Sequence, residues 1–396
     1  MHVLIAGGGV GGLTLALSLR ERGIGCTVLE AAEQVRELGV GINTLPHAIA
    51  ELAALGLLPA LDAAAVRTRE LRYLNRFGQE IWREARGEYA GHPAPQFSIH
   101  RGRLHGVLWR AVEERVGLVR TGARVEGFTQ DDAGVTVTLA DGPQLRGDVL
   151  VGADGIHSRV RAILHPADGG ISWNGIQMWR GAVDWPAFEG GDCMVVAGDM
   201  SEKLVLYPIG AGAAPGMRLT NWVVCVRQGD ATQPPPRRED WSRRGSLEEL
   251  LPHARRFAMP MIDVEALVRA TPEFFEYPMC DRDPLPFWTV GRVTLLGDAA
   301  HPMYPVGSNG ASQAVLDARC LAALLAGGDA AAALAAYEAE RLPKTAEIVR
   351  SNRRGGPERI VDVVSERAPN GFARIEDVIA REELAAIAGG YARITR

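Results

Sequence analysis

The strongest constraint on the fold is a glycine pattern near the N-terminus. The apolar run His2 to Ala6 leads into Gly7, Gly9 and Gly12, spaced as Gly-x-Gly-x-x-Gly, and a helical pattern begins directly afterwards. A second apolar run ends at Glu30, about 20 residues further on. In this context the glycines permit a tight turn, close approach to a pyrophosphate and close helix–strand packing, and the carboxylate can accept ribose hydroxyls. The pattern predicts a β-α-β unit that binds the ADP-ribose half of a dinucleotide.

The glycine pattern alone does not distinguish NAD from FAD, because both contain that half. No second Gly-x-Gly-x-x-Gly follows a strand later in the chain; the segment from Gly210 to Gly216 has the wrong spacing and precedes no helical pattern. The sequence therefore predicts one tightly held dinucleotide.

The composition disfavours several classes of protein. The chain has 396 residues, 47% hydrophobic and 23% charged, which is typical of a globular protein with two or three domains. The net charge of −5 disfavours nucleic acid and anionic membranes as partners, and no uncharged apolar run reaches the roughly 18 residues of a membrane span. The five cysteines show neither Cys-x-x-Cys nor metal-binding spacing, so no disulfide framework and no metal site are expected, and the cytoplasm is the expected location.

Beyond residue 45 the patterns indicate two interleaved units. Helical periodicity appears at Pro46 to Leu58 and at Arg103 to Arg115, and a hairpin is indicated at Glu70 to Glu84. A strand-rich block from Ile176 to Val226 predicts one mostly antiparallel sheet. After a strand at Arg292 to Leu296, the Ala-rich remainder is predicted to be helical.

Two later segments carry a more specific signal. Val149 to Arg161 reads VLVGADGIHSRVR and places Asp154 and Gly155 after a strand. Arg292 to Asp317 reads RVTLLGDAAHPMYPVGSNGASQAVLD and places Asp298 after another strand. With the N-terminal glycine pattern, in this order and spacing, they resemble the three signature elements of the class A FAD-dependent aromatic hydroxylases, over essentially the whole chain. Within that family, the runs GVGIN, MWRG and GDAAHPMYPVGSNGASQA are most similar to phenazine monooxygenases.

The resemblance implies an α/β fold in two interleaved domains. One is a glutathione-reductase-type, Rossmann-like FAD-binding domain, expected at residues 1–69, 98–170 and 280–340. The other is a substrate domain on a mostly antiparallel sheet, expected at residues 70–97 and 171–279. A C-terminal helical segment is expected at residues 341–396.

The expected cofactor is FAD, held by three separate stretches of chain. Asp298 can accept hydrogen bonds from the ribityl hydroxyls, and the glycines and prolines of residues 302–310 let the main chain lie against a flat ring. The next helix directs its N-terminus at the ring edge where negative charge gathers on reduction. The family implies that Asp154 and Arg101 lie at the pyrophosphate, with a merely exposed arginine as the alternative for Arg101. The expected FAD contacts are Gly7, Gly9, Gly11, Gly12, Glu30, Gly41, Arg101, Val125, Asp154, Gly155, Asp298, Pro305, Gly307, Asn309 and Gly310.

Fewer signals point to the catalytic and substrate-contacting residues. His47 follows the GVGIN loop, which is expected to lie against the flavin, so His47 is a candidate base for a ring hydroxyl; a bystander role is the alternative. Tyr207 occupies a position that borders the substrate in related hydroxylases, and Pro305 belongs to the loop beside the ring, so both are assigned to catalysis. Trp179 and Trp222 are assigned, with Tyr207, to the substrate pocket; a place in the core is the alternative for all three.

The predicted function is that of an FAD-dependent monooxygenase. As the family implies, NAD(P)H binds transiently and reduces the flavin, O₂ adds to give a flavin C4a-hydroperoxide, and a flat aromatic or heteroaromatic ring is hydroxylated, with decarboxylation as an option. The alternative is a flavoprotein dehydrogenase or reductase that inserts no oxygen. The expected partners are the small aromatic substrate, O₂ and NAD(P)H, and the expected assembly is a monomer or homodimer.

Overall fold

The computed structural model describes residues 1–34, 40–230, 232, 234–235 and 243–394. Its strands, in chain order, are β1 (His2–Ala6), β2 (Gly25–Leu29), β3 (Gly41–Thr44), β4 (Ala65–Arg67), β5 (Glu70–Leu74), β6 (Glu80–Ala85), β7 (Phe97–His100), β8 (Val119–Arg120), β9 (Val125–Asp131), β10 (Gly134–Leu139), β11 (Gln144–Gly147), β12 (Val149–Gly152), β13 (Ile171–Pro186), β14 (Cys193–Gly198), β15 (Glu202–Ala211), β16 (Met217–Arg227), β17 (Phe274–Arg282) and β18 (Val293–Leu295). The helices are α1 (Val10–Glu21), α2 (Pro46–Ala54), α3 (Leu58–Ala64), α4 (Arg101–Arg115), α5 (Arg159–Leu164), α6 (Leu247–Ala254), α7 (Val264–Ala270), α8 (Gly310–Leu325), α9 (Ala330–Arg353), α10 (Arg359–Arg367) and α11 (Arg381–Ile394).

A five-stranded parallel sheet forms the first layer, in the order β18-β12-β1-β2-β8. Its central strands, such as HVLIA in β1 and VLVG in β12, are apolar without alternation because both faces of a parallel sheet are covered. Helix α1 packs between α4 and α8, while the antiparallel sheet β11-β10-β9 contacts β1 and β12. The C-terminal ends of three neighbouring strands therefore lie side by side, and these ends carry the predicted FAD motifs.

A seven-stranded sheet forms the second layer, in the order β17-β13-β16-β15-β14-β5-β6. All its pairs are antiparallel except β14 with β5. Side chains alternate between its two faces. One face packs on α6 and α7 around a core that includes Trp179 and Trp222. The other face meets α10 and α11 at one end and the loop containing Tyr304 and Val306 at the other end.

The predicted α/β fold, with a parallel-sheet FAD domain and a mostly antiparallel second sheet, is confirmed, with local differences. The hairpin expected at Glu70 to Glu84 is β5 and β6. The helix expected at Pro46 to Leu58 is two helices, because Gly56 at φ +75° ends the first. Helix α9 runs without a break across the expected boundary at residues 340 and 341, and β17 crosses the one at 279 and 280. The division into domains stays a prediction. In the described ranges, no helix is long and apolar enough to cross a membrane.

Candidate active site

The N-terminal glycines shape the turn between β1 and α1. Gly7 has φ +108°, and a Cβ atom there would lie 2.3 Å from the carbonyl oxygen of Ala153. A Cβ on Gly12 would lie 2.1 Å from the Gly7 oxygen, and one on Gly11 2.5 Å from a Leu296 methyl group. Gly9 differs, because a Cβ there would meet no atom within 4 Å. The space before α1 is therefore open, and the helix N-terminus has no side-chain cap.

Glu30 closes the same turn from the end of β2. Its carboxylate accepts hydrogen bonds from the backbone N–H of Gly8 and of Ala32, both at 2.7 Å. A carboxylate has about four lone-pair sites, so capacity remains for ribose hydroxyls. The Glu30 carbonyl accepts from Ala123 N–H at 2.8 Å, two residues before Val125. Val125 is buried at the start of β9, which brings its backbone near Glu30 and leaves its FAD contact a proposal.

Asp154 and Arg101 stand at two further edges of the open space. Asp154 accepts hydrogen bonds from Ser158 Oγ at 2.5 Å and from Arg159 N–H at 2.7 Å, so it organises the start of α5. Burial raises the pKa of Asp154, and these hydrogen bonds oppose the shift. Gly155, at φ +79°, makes the turn that follows. Arg101 begins α4 with an exposed side chain that forms no ion pair within the described residues.

Asp298 is exposed just after β18, and its carboxylate accepts no hydrogen bond from any described residue. Many protein atoms nevertheless lie around this accessible side chain, and this burial raises the pKa of Asp298. His301 and Arg101 oppose the shift. Arg101 and Asp298 are thus near enough to interact electrostatically. An accessible carboxylate with free lone pairs matches the expected partner of ribityl hydroxyls.

A buried ionic cluster lies behind Asp298. Asp317 accepts from Arg341 Nε at 2.7 Å and from Gly297 N–H at 3.1 Å, and it contacts His301 Nε2 at 2.5 Å. Burial would raise the pKa of Asp317, but His301 and Arg341 lower it to about 2. Arg341 also donates to Gln313 at 2.5 Å. The cluster therefore ties the Asp298 segment to α8.

The loop before α8 contains two residues in the left-handed region, Gly307 at φ +66° and Ser308 at φ +58°. Tyr391 of α11 supports this loop. Its hydroxyl accepts from Asn309 Nδ2 at 2.8 Å and lies 2.7 Å from Asn352 Oδ1, to which it donates. A Cβ on Gly307 would lie 2.5 Å from the Tyr391 ring. Helix α8 starts without a side-chain cap, so its first N–H groups remain available.

These features fit FAD. Two uncapped helix N-termini, at α1 and α8, supply N–H groups and partial positive charge for a pyrophosphate and for a reduced ring. The open space at Gly9 and the free carboxylate of Asp298 complete a donor and acceptor set of the right kind. In the described ranges, no cluster of His, Cys, Asp or Glu side chains is arranged to hold a metal ion.

A cavity of about 50 Å³, here called the Arg180 cavity, lies between the seven-stranded sheet and the α8 loop. Pro305 and Ser308 line it from the loop, and Tyr207 and Arg180 line it from the sheet. The Arg180 guanidinium donates to the Gly41 carbonyl at 2.5 Å and to Tyr277 Oη at 2.9 Å, while its buried Nε has no partner in the described ranges. Although burial disfavours the charged form, Tyr277 and Tyr207 raise the pKa of Arg180, so the cation persists.

Lys203 places a second cation in the Arg180 cavity. It is 2% exposed and pairs with Glu358, which reaches the cavity from the turn between α9 and α10. Burial lowers the pKa of Lys203, but Glu358 outweighs burial and raises it. Because Glu358 neutralises Lys203, Arg180 is the cation of this cavity that lacks an acidic partner in the described part of the chain.

A larger cavity of about 130 Å³, here called the His47 cavity, adjoins the same loop. His47 lines it from the first turn of α2, and Tyr391 lines it from α11. Burial, followed by Arg341 and His92, lowers the pKa of His47 to about 4. The ring is therefore neutral at pH 7, and its buried Nε2 has no partner in the described ranges.

The structure brings most of the predicted site residues together, but not the two tryptophans. Trp179 and Trp222 point to the opposite face of the sheet and are 1% and 0% exposed in the core under α6 and α7. Trp222 Nε1 donates to Thr271 Oγ1 at 2.8 Å. Since neighbouring residues of a strand alternate, it is Arg180, beside Trp179, that faces the cavity. These two substrate assignments are therefore corrected to core positions, the alternative weighed for them.

Sequence reasoning missed several residues that line the cavities. Arg180 and Lys203 are charges inside otherwise apolar strands, IQMWRGAV and EKLVLYP, and that context was the signal available. Glu358 and Tyr391 lie in the helical remainder, where nothing in the pattern indicates that they reach the loop. Gly39, the first residue of GVGIN, lies outside the described residues.

Comparisons with known proteins agree over most of the chain. Residues 1–352 match the family model described as FAD binding domain. A phenazine 1,6-dicarboxylic acid hydroxylase of Lysobacter antibioticus is 48% identical over 367 residues, covering 89% of this chain and 89% of that protein. A 3-hydroxybenzoate 6-hydroxylase of Aquipseudomonas alcaligenes is 33% identical over 362 residues, covering 88% and 86%. The structure of Klebsiella pneumoniae HpxO with FAD and uric acid has a TM-score of 0.76 at 24% identity, covering 100% of this chain and 92% of that one; it supports the fold.

Proposed function

This chain belongs to the FAD-binding domain family of aromatic hydroxylases, and on that premise we propose that it hydroxylates a flat, carboxylated heteroaromatic compound of the phenazine class with NAD(P)H and O₂. One oxygen atom enters the ring as a hydroxyl group and the other leaves as water, while NAD(P)H supplies a hydride and solvent a proton. Where the attacked carbon carries the carboxyl group, CO₂ leaves in place of the ring hydrogen.

The family, the FAD cofactor and the class of FAD-dependent aromatic hydroxylase, all predicted from the sequence, are confirmed by the family match and the named relatives. Those names do not favour the alternative of a dehydrogenase without oxygen insertion. The substrate, the electron donor and the roles of single residues belong to the proposal.

Arg180 is the observation that carries the substrate class. A buried cation without an acidic partner is costly, and a charge-assisted hydrogen bond to a carboxylate relieves that cost. The guanidinium already donates to two neutral oxygens, its Nε has no partner in the described ranges, and Arg180 lines the same cavity as Pro305 and Tyr207. A substrate carboxylate fits this position, and the phenazine relative, named for a dicarboxylic acid, supports a flat acid.

The chain's own residues bind, orient and shield. The glycine turn at Gly7, Glu30 and Asp298 would hold FAD, which when bound supplies the two-electron chemistry and the activation of O₂. Arg180 orients the substrate carboxylate, and the sheet with α10 and α11 excludes water from the ring. For a substrate that carries a ring hydroxyl, neutral His47 can accept its proton at Nε2, which raises the electron density of the ring.

The test compares a substrate acid with its uncharged amide. We expect phenazine-1-carboxylic acid, but not its primary amide, to accelerate NAD(P)H oxidation by the FAD-loaded protein and to give a product that carries one atom from ¹⁸O₂. Arg180→Met should raise KM for the acid roughly 30-fold or more while FAD stoichiometry is retained, because one charge-assisted contact is lost. Equal stimulation by acid and amide, or a product without ¹⁸O, would refute the proposal.

His47 is tested by separating the two half-reactions. His47→Ala should slow hydroxylation of a phenolic substrate more than reduction of the flavin by NAD(P)H, measured by stopped flow under anaerobic and aerobic conditions. An equal slowing of both steps would assign His47 to structure instead of proton transfer.

Two coarser proposals complete the assignment. None of the five cysteines forms a disulfide in the structure, which supports a reducing compartment, and we infer the cytoplasm. A monomer or homodimer is proposed, and light scattering during size-exclusion chromatography tests it.

A further inference from the structure

We propose that the His47 cavity is a second compartment of the substrate site, which binds the neutral polar end of a fused multi-ring acid whose carboxylate is held at Arg180. This inference rests on the proposed function and adds the length and polarity of the substrate. The residues of the His47 cavity that carry the argument are Leu71, Tyr73, Arg86, Gln96, Met194 and Val196, together with His47.

The two cavities meet at the same place on the α8 loop. Ser308 and Glu358 line both of them. Glu358 also accepts a hydrogen bond from Gly307 N–H at 3.4 Å, so it lies against the loop that is expected to face the flavin. On this proposal, one molecule passes from Arg180 by Ser308 towards His47.

A row of residues on one face of the seven-stranded sheet joins the linings of the two cavities. Cross-strand pairing aligns Arg180 with Val223, Val223 with Val205, Val205 with Val196, and Val196 with Tyr73. Residues directly opposite one another on paired strands share a face. The row thus begins in the Arg180 cavity and ends in the His47 cavity, with aliphatic side chains between two polar ends.

Four polar atoms lining the His47 cavity have no hydrogen-bond partner in the described ranges: His47 Nε2, Tyr73 Oη, Arg86 Nε and Gln96 Oε1. Tyr73 is 1% exposed and Gln96 2% exposed, so bulk water does not reach these side chains freely. Buried polar groups are rarely left unpaired, which indicates a ligand or ordered water at this position. The set includes donors and acceptors, as a ring nitrogen or a hydroxyl group requires.

The charge balance distinguishes this compartment from the first one. Arg86 is the one arginine or lysine that lines it within the described residues, and Arg86 Nη2 pairs with Glu84 at 3.1 Å. Arg180, in contrast, has no acidic partner there. The His47 cavity therefore favours an uncharged polar group over a second carboxylate.

Size supports a two-compartment site. The Arg180 cavity, at about 50 Å³, is far smaller than the roughly 150 Å³ that holds one benzene ring. An aromatic acid held at Arg180 therefore has to extend into the adjoining 130 Å³ of the His47 cavity. Leu71, Met194 and Val196 supply the apolar surface for a flat ring.

The experiment measures binding to the FAD-loaded enzyme without NAD(P)H, from the change in flavin absorbance. The probes are benzoic acid, phenazine-1-carboxylic acid and phenazine-1,6-dicarboxylic acid. Tyr73→Phe removes one unpaired hydroxyl, and Tyr89→Phe, at a tyrosine that is 56% exposed, is the matched control. Val196→Phe fills the compartment, and the melting temperature of each loaded variant verifies folding.

We expect the wild type to bind the phenazine monoacid more tightly than the diacid. Tyr73→Phe should weaken the monoacid about tenfold and leave benzoic acid, which has no second polar group, unchanged. Val196→Phe should weaken both acids, because neither ring fits the Arg180 cavity alone. If neither variant changes monoacid binding, the cavity holds ordered water only and the inference fails. Tighter binding of the diacid would overturn the assignment of a neutral end. Failure of the proposed function is distinct, since Arg180→Met would then leave all three acids unaffected.

Discussion

Replacing Arg341 by methionine tests whether the buried ion cluster behind Asp298 holds the flavin loop. In the folded protein the pKa of Asp317 falls from 3.8 to about 2, because His301 and Arg341 outweigh burial. At about 1.36 kcal/mol per pKa unit, the ionised carboxylate contributes about 2 kcal/mol at neutral pH. The methionine preserves much of the apolar stem but leaves a buried charge with one partner fewer, so we expect a loss of about 3 kcal/mol.

The dependence on pH follows from the sign of the shift. A lowered folded-state pKa contributes stability above the unfolded value of 3.8, and this contribution is lost as the pH falls from about 4 to about 2. The difference between wild type and Arg341→Met should therefore be largest near pH 7 and decrease below pH 4.

Urea unfolding of the single variants Arg341→Met and Asp317→Asn and of the double variant gives the coupling energy directly. We expect the double variant to lose clearly less stability than the sum of the singles, and Arg341→Met to release FAD more readily, because Gly297 and α8 are no longer tied together. A loss below about 1 kcal/mol, or additive losses, would refute the reasoning.

Further predictions concern the glycine turn, the C-terminal helix and a buried carboxylate. Gly9→Ala should leave apoprotein melting unchanged and weaken FAD binding, since its Cβ meets no protein atom, whereas Gly12→Ala should destabilise the apoprotein itself; equal effects on both would contradict the assignment. Tyr391→Phe should lower the free energy of unfolding in urea by about 1–3 kcal/mol and weaken FAD binding, because the hydroxyl bonds to Asn309 and Asn352. Unchanged stability and FAD binding would contradict this role of the hydroxyl. Asp362→Asn should stabilise the protein by about 2 kcal/mol at pH 8 and not at pH 4. Burial raises the pKa of Asp362 to about 6, so the charged carboxylate costs stability at pH values above about 6. An equal gain at both pH values would contradict this.

The sequence predicted the nucleotide-binding half of the molecule well because its signals are local. Gly7, Gly12 and the strands around them are dictated by backbone geometry and by uninterrupted apolar runs, both visible within a few residues. The hairpin of β5 and β6 was visible for the same reason. The position of Asp298 and of the next loop after a strand was also visible in the sequence, but their contacts with FAD followed from the family resemblance and stay a prediction.

The cavities could not be predicted in the same way, because they depend on contacts between distant parts of the chain. Trp179 and Arg180 are neighbours on β13 and point to opposite faces of the sheet. The alternation in the sequence does not show which of the two faces the α8 loop, and so which residue lines the cavity. Glu358 pairs with Lys203 across 155 positions. Tyr391 reaches Asn309 from a helix whose sequence resembles many surface helices.

The strand order has a consequence for how the chain folds. Val149–Gly152 pairs with Val293–Leu295, and five of the seven strands of the second sheet, β13 to β17, lie between these two segments in sequence, so the parallel sheet is completed only after them. The parallel pairing of Glu70–Leu74 with Cys193–Gly198 makes the second sheet equally dependent on an early segment. Pairings this distant close slowly during refolding. Neither the N-terminal nor the C-terminal half of the chain should therefore form a stable fragment when expressed alone. A destabilising substitution in one sheet should also slow the folding of the other sheet.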